Sequence, residues 1–191
     1  MIRSFIAIDL PDDVRAAIEE AQTRLKGEDF GVKISWTKIV NLHLTLQFLG
    51  NIEEGVVDEF KTALRSVAAQ HQPFEISVRG GGAFPNEKRP RVIWVGCADN
   101  GNRLKALALA VHEAMQPFGF TYEHRGFSAH LTLGRIKLPH PDAALTRAMD
   151  SLKDTAFGTL RVEAIHLFES QLHPEGSIYT KLSSHALGAH N

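Results

Sequence analysis

Apolar positions along the chain recur with two periods, one typical of strands and the other typical of helices. The short apolar run Phe5–Ile8 has the length and β-branched content of a strand. In the segment that follows it, apolar residues recur three or four positions apart, which predicts a helix with one buried face. These helical positions are Val14, Ile18, Ala21 and Leu25. Pro11 precedes them, where proline favours the start of a helix.

The same order of elements occurs twice. The tetrapeptide HLTL stands at His43–Leu46 and again 87 positions later at His130–Leu133. Strand-like runs that begin at Phe5 and Val92 keep the same offset of 87. Several segments in one order at nearly one offset indicate an internal duplication.

Further apolar positions extend both copies, because each HLTL is followed by a helical pattern and then by an alternating, strand-like one. The helical positions are Phe60, Leu64 and Val67 in the first copy and Leu145, Met149 and Leu152 in the second. The strand positions are Phe74, Ile76 and Val78, matched with Leu160, Val162 and Ala164. We expect Val32–Trp36 and Ser177–Leu182 to complete the sheets.

These patterns predict an α+β fold in which two pseudo-symmetric lobes, each an antiparallel sheet with helices, flank a central cleft. The repeats span roughly residues 3–84 and 90–170. Because no long linker separates them, we treat residues 1–191 as a single bilobed domain.

Composition narrows the class of protein. The 191 residues are 43% hydrophobic and 23% charged, which is typical of a soluble globular protein. A net charge of −1 argues against a generally basic nucleic-acid coat or a polybasic membrane anchor, but it does not exclude a local cationic groove. Cys97 is the only cysteine, so an intramolecular disulfide and a cysteine zinc cluster are excluded. No run approaches the roughly 20 apolar residues of a membrane span. We expect a cytoplasmic monomer.

Each HLTL strand presents its histidine and its threonine on the same face. Side chains alternate along a strand, so His43 and Thr45 share one face while the leucines pack into the core. His130 and Thr132 repeat this arrangement in the second copy. One His-Xaa-Thr usually means only a half-buried strand, but two copies at matching places favour a function.

Two facing lobes bring both pairs into one cleft. Two imidazoles can then serve as acid and base near neutral pH, and the hydroxyls can donate to phosphate oxygens. This set suits a phosphodiester. Neither HLTL supplies a carboxylate or a further histidine at ligand spacing, so we expect no metal and no other cofactor.

These residues resemble the 2H phosphoesterase superfamily, which is named for two histidines in H-x-[ST]-x motifs. The resemblance is closest to the family of RNA 2′,3′-cyclic phosphodiesterases, also called 2′-5′ RNA ligases (LigT/ThpR), and it covers nearly the whole chain. Besides both HLTL motifs, the similar segments are Arg3–Ile8, Asn41–Gly50, Phe84–Asn86, Pro90–Trp94, His130–Arg135 and Leu167–Ser170, with Gly176 and Tyr179.

The resemblance implies hydrolysis of RNA 2′,3′-cyclic phosphate ends to 2′-phosphomonoesters, with reversible, ATP-independent 2′-5′ ligation as a further activity. It implies that His43 is the general acid, that His130 activates water, and that Thr45 and Thr132 hold the phosphate. Arg135 corresponds to a substrate-contacting arginine. The near symmetry of the two halves leaves the acid and base assignment open in the sequence itself.

Arg135 lies five positions after His130, so strict alternation would put it on the opposite face. We therefore expect a bulge or a strand end near Gly134 that turns Arg135 towards the substrate; the alternative is a surface arginine. Arg3 is expected at the surface. The basic cluster Lys88–Arg91 either receives an RNA backbone or is a solvated hairpin tip.

The same residues also fit other functions. The chain could be a 2H phosphodiesterase for 2′-5′ oligoadenylate or small cyclic nucleotides, or a non-catalytic protein that binds RNA ends. Two intact His-Thr pairs favour catalysis over binding alone. Of the other eight histidines, we expect His166 to be half-buried in a strand and the rest to be exposed, among them His112, His124, His185 and His190.

Overall fold

The computed structural model describes residues 1–120, 127–174 and 176–188. Within these ranges the chain forms nine strands and four α-helices. The strands are β1 Ile2–Ile8, β2 Ile34–Trp36, β3 Leu44–Ile52, β4 Phe74–Phe84, β5 Val92–Ala98, β6 His130–Ile136, β7 Ala156–Val162, β8 Ala164–Gln171 and β9 Ile178–Ala186. The helices are α1 Asp12–Lys26, α2 Val57–Ala69, α3 Arg103–Met115 and α4 Ala143–Leu152.

The strands form two antiparallel sheets. The first has the order β3-β1-β8-β9 and the second has the order β2-β6-β5-β4-β7. We call them the first and the second lobe. The predicted α+β class with two antiparallel lobes is confirmed. The two expected completing segments also lie in sheets, since β2 and β9 are edge strands.

The lobes do not coincide with the sequence repeats. β4, the last strand of the first repeat, pairs with β5 in the second lobe, and β8 pairs with β1 in the first lobe. The predicted match between the strands at Phe74 and Leu160 is therefore wrong. Leu160 lies in β7, which pairs directly with β4, and β8 takes the place equivalent to β4. Each lobe contains strands from both repeats.

Helix α1 buries the face that its periodicity predicts. Its buried residues are Val14, Ile18, Ala21, Gln22 and Leu25. Asp12 and Asp13 occupy its first turn, where the helix dipole favours negative charge. Gln22 is fully buried and donates hydrogen bonds from Nε2 to the carbonyl oxygens of Thr37 (2.8 Å) and Leu133 (3.2 Å). The helix is thereby fixed to the strand that carries the second HLTL.

The leucines of both HLTL motifs lie in the core, as the alternation predicts. Leu44, Leu131 and Leu133 have no exposed surface, and Leu46 is 8% exposed. They belong to one continuous cluster of buried apolar residues under both sheets. Burial of each leucine side chain contributes about 2 kcal/mol, so these strands are held firmly from below while their other face stays free for chemistry.

Several histidines are less exposed than the sequence indicates. His112 and His185 are buried, not exposed in loops, because His112 lies on the inner face of α3 and His185 lies in β9. His166 is buried, not half-buried. His124 and His190 lie outside the described residues.

Acid sensitivity should follow from the buried His166. Burial, with Lys181 nearby, lowers the pKa of this imidazole to about 4. Below pH 6.5 the unfolded chain therefore binds more protons at this residue than the folded chain does. The contribution of His166 to the free energy of unfolding is fully present above pH 6.5 and falls as the pH decreases towards 4. We expect the free energy of unfolding to fall by about 1 kcal/mol from pH 7 to pH 5 on account of this residue. Urea titrations at both pH values should show a smaller fall for His166→Leu than for the wild type; an equal fall would contradict the assignment.

Within the described ranges, no helix has the length and apolar character needed to cross a membrane.

Candidate active site

One cavity lies between the two lobes and contains all five predicted site residues. His43, Thr45, His130, Thr132 and Arg135 line a space of about 490 Å³. β3, with His43 directly before it, and β6 supply them from opposite sides. The described lining has no carboxylate, so the charged side chains that face the cavity are cationic. Such a cavity favours a bound anion.

Both imidazoles are held in the same way. Nδ1 of His43 lies 2.7 Å from the carbonyl oxygen of Asn41, and Nδ1 of His130 lies 2.7 Å from that of Ser128. A carbonyl oxygen only accepts, so Nδ1 must carry the proton in each ring. Nε2 then stays available to accept or donate a proton. Each acceptor stands two residues before its histidine, so the duplication includes this positioning bond.

The segment before His43 is itself fixed. The Asn41 side chain donates from Nδ2 to the carbonyl oxygen of Ser177 at 2.6 Å, which connects the start of β3 to the segment before β9. Arg15 on α1 donates to the carbonyl oxygen of Ile39 at 2.7 Å and forms an ion pair with Asp9. These contacts hold the turn Ile39–Asn41 and therefore the carbonyl that orients His43.

The surroundings of the two rings differ. His43 lies 4.5 Å from the ring of Phe5 and 5.3 Å from that of Tyr179, measured between centroids. Phe5 also stacks on Phe168 at 5.2 Å. His130 meets the ring of Phe84 edge-on at 5.0 Å. The first lobe thus encloses its histidine in an aromatic cluster.

Burial lowers the pKa of His43 below its ordinary value. The hydrogen bond to Asn41 opposes this effect, and the cations of Arg15 and Arg135 add to it. The ring is therefore neutral at pH 7 in the empty cleft, with Nε2 unprotonated. An anion placed beside the ring would favour the imidazolium and raise this pKa.

A β-bulge, one of the two features expected near Gly134, directs Arg135 into the cleft. Trp94 pairs with Thr132 and Ile93 pairs with Gly134, so Leu133 is the extra residue of β6. The bulge offsets the alternation, and Arg135 lines the same cavity as His130.

Gly134 is required beside this bulge. A Cβ on Gly134 would lie 2.8 Å from Cγ2 of Ile34 and 3.2 Å from Cε3 of Trp36. Only glycine lets β2 pack against β6 at this point.

The first lobe repeats the bulge and reveals a site residue that the motifs do not single out. Ala7 pairs with Thr45 and Ile6 pairs with Gln47, which leaves Leu46 as the extra residue of β3. Phe48 therefore takes the position of Arg135 and lines the cleft with half of its surface exposed. The signal was present in the sequence, since Phe48 and Arg135 are 87 positions apart.

Arg3 also lines the cleft, which corrects the expectation of a surface role. Its guanidinium carbon lies 4.5 Å from the centroid of the Phe48 ring, a cation–π contact. Arg3 and Arg135 thus present positive charge from both lobes.

Across the described ranges, no three or more His, Cys, Asp or Glu side chains are grouped closely enough to hold a metal ion.

Comparison with known proteins identifies the family. The sequence model of the protein family described as "LigT like Phosphoesterase" matches residues 8–94 and, a second time, residues 95–179. The chain belongs to the LigT-like phosphoesterase family. Each matched segment of this LigT-like chain contains one HLTL motif.

Relatives of this LigT-like chain agree in length. It is 38% identical over 182 residues to the RNA 2′,3′-cyclic phosphodiesterase of Archaeoglobus fulgidus, covering 95% of this chain and 98% of the relative. It is 35% identical over 181 residues to the RNA 2′,3′-cyclic phosphodiesterase of Methanothermobacter thermautotrophicus, covering 95% and 96%. The crystal structure of TT0787 of Thermus thermophilus is similar with a TM-score of 0.81 and 31% identity, covering 99% of this chain and 100% of that one.

Proposed function

We propose that this protein hydrolyses RNA 2′,3′-cyclic phosphate ends to 2′-phosphomonoesters, with His43 and His130 as the acid–base pair. The observation that carries the proposal is the cavity into which two similarly held imidazoles, two hydroxyls and two guanidiniums converge, with no carboxylate among the described residues that line it. Relatives that match almost the whole chain are named for this activity.

The chemistry needs one proton taken and one proton given. Nε2 of His130 accepts a proton from water as the water oxygen bonds to phosphorus. Nε2 of His43 donates its proton to the ribose 3′ oxygen as the bond from phosphorus to that oxygen breaks. A phosphate anion bound beside His43 raises the pKa that burial lowers in the free protein, so the ring carries the proton that it donates. Solvent exchange returns both rings to their starting states.

The hydroxyls and guanidiniums stabilise the charge. Thr45 and Thr132 donate to the non-bridging phosphate oxygens from opposite lobes, and Arg3 and Arg135 balance the charge of the transition state. Replacement of water by an RNA 5′-hydroxyl in the same cleft would form a 2′-5′ linkage without ATP, because the cyclic phosphate already carries the energy of the bond.

The direct test is incubation with RNA that ends in a 2′,3′-cyclic phosphate, in EDTA and without nucleotide, followed by phosphorus NMR of the product. We expect a 2′-phosphomonoester. A 3′-phosphate product would contradict the proposal. Tight binding without turnover would indicate a non-catalytic protein that binds RNA ends, and turnover of 2′-5′ oligoadenylate alone would indicate another 2H substrate.

Removal of a threonine hydroxyl should weaken catalysis while the fold persists. Thr45→Val and Thr132→Val keep the side-chain shape but lose one charge-assisted donor to the phosphate, worth about 1.5–3 kcal/mol. We therefore expect each to lower kcat/KM by roughly 10- to 100-fold. Thr45→Ser and Thr132→Ser are the matched controls and should retain most activity. Equal losses in the valine and serine variants would contradict a role for the hydroxyl.

A further inference from the structure

The turn between β4 and β5 presents three cations that have no acidic partner among the described residues. Lys88, Arg89 and Arg91, here called the basic rim, are exposed. None of them occurs in the ion pairs of the described chain. The single acid of this turn, Glu87, pairs with Lys153 at 3.3 Å. In a chain of net charge −1, the rim is a local concentration of positive charge.

The rim is continuous with the His130 side of the cleft. Phe84, which meets the ring of His130, accepts a hydrogen bond at its carbonyl oxygen from the backbone amide of Arg91 at 2.7 Å. The carbonyl oxygen of Arg91 accepts from the amide of Ile136 at 2.9 Å, one residue after the cleft-lining Arg135. An RNA strand that leaves the cleft on this side would therefore contact the rim next.

The turn holds its cations in an ordered arrangement. Oδ1 of Asn86 accepts hydrogen bonds from the amides of Lys88 (3.0 Å) and Arg89 (3.1 Å). Pro85 and Pro90 flank this turn and restrict its backbone. A preformed turn loses less entropy when it binds a ligand than a flexible one does.

An aromatic surface lies next to the rim. Lys88 and the half-buried Trp94 line a shallow depression of about 670 Å³, together with Asn86 and the ion pair of Glu87 and Lys153. Basic side chains beside an aromatic ring are the combination that binds single-stranded nucleic acid, since cations contact the phosphates and bases stack on rings.

We propose that the basic rim binds backbone phosphates of the single-stranded RNA that precedes the cyclic phosphate. The inference rests on the proposed function and adds to it a preference for oligonucleotides over mononucleotides. A 2′,3′-cyclic mononucleotide has no preceding phosphodiester and fills only the cleft, so the rim acts on the longer substrate alone.

The test compares two substrates and two triple variants. The substrates are adenosine 2′,3′-cyclic monophosphate and a hexanucleotide RNA with a 2′,3′-cyclic phosphate end. The rim variant is Lys88→Gln/Arg89→Gln/Arg91→Gln. The matched control, Arg24→Gln/Lys105→Gln/Arg147→Gln, removes three exposed cations on helices and changes the net charge equally. Anisotropy of a fluorescein-labelled hexanucleotide measures binding without turnover.

We expect the rim variant to lose about tenfold or more in kcat/KM on the hexanucleotide at low salt and to change less than twofold on the mononucleotide. The slope of log affinity against log salt should become shallower by about 2, as expected for three lost phosphate contacts on a single strand. Equal losses on both substrates, no loss on either, or an equal effect of the control variant would overturn the proposal. Absence of wild-type turnover would refute the proposed function, and anisotropy would still decide whether the rim binds RNA.

Discussion

Alanine in place of either His43 or His130 is expected to lower kcat for a 2′,3′-cyclic nucleotide by about 10³-fold, near 4 kcal/mol of barrier, because each variant lacks one proton transfer. The two losses should not add fully in the double variant, since the rings act on one phosphorus atom. Each single variant should also lose one limb of the pH–rate profile, which stopped assays from pH 5 to pH 9 can resolve. The limb that His43→Ala removes identifies the role of that ring.

His71 provides the matched control for these variants. Its Nδ1 also bonds a backbone carbonyl, that of Val67 at 2.9 Å, but it follows α2 and does not line the cleft. His71→Ala should keep wild-type kcat. Near wild-type turnover in His43→Ala or His130→Ala would reject the acid–base assignment, and urea titration would show whether a loss of activity reflects unfolding.

Leu44→Ala and Leu131→Ala are expected to lower stability and to leave catalysis by the folded protein largely intact. Both side chains are fully buried, and each lies directly after a cleft histidine. Truncation removes the buried methyl groups and leaves a cavity, so each variant should lose about 3 kcal/mol of unfolding free energy. Urea titration at pH 7 measures this loss, and kcat at low temperature should stay within about tenfold of the wild type wherever the variant is folded.

Leu109 is the matched control because it is 45% exposed on α3. Leu109→Ala should change the unfolding free energy by less than about 1 kcal/mol. A comparable loss in Leu109→Ala, or no loss in Leu44→Ala, would contradict the placement of the HLTL leucines in the core. Together with the histidine variants, these experiments separate the residues that stabilise the two strands from those that act on the phosphate.

Features set by local periodicity could be predicted from the sequence. The alternation in HLTL placed the leucines inside, and the spacing of Val14 and Ile18 gave the buried face of α1. The bulge that directs Arg135 into the cleft followed from a conflict between its spacing from His130 and the resemblance. In each case the information lay within a few residues of the position concerned.

Features set by long-range pairing could not be predicted in the same way. The apolar pattern of β4 indicates a strand but not that its neighbours are β5 and β7. Arg3 reaches the cleft only because β1 pairs with β3, where the bulge at Leu46 exposes Phe48 to it. His185 is buried because β9 joins the sheet beside β8. Local periodicity does not determine which strands become neighbours.

The exchange of β4 and β8 between the lobes has a consequence for assembly. A cut in the β4–β5 turn would leave the amino-terminal fragment without β5 and β7, the two partners of β4, and the carboxy-terminal fragment without β1, one of the two neighbours of β8. Each fragment then has unpaired strand edges, so we infer that each fragment folds only when the other is present. The topology resembles that of a strand-swapped dimer whose two subunits are joined by a linker. Co-expressed fragments should therefore reconstitute the enzyme, whereas either fragment alone should aggregate.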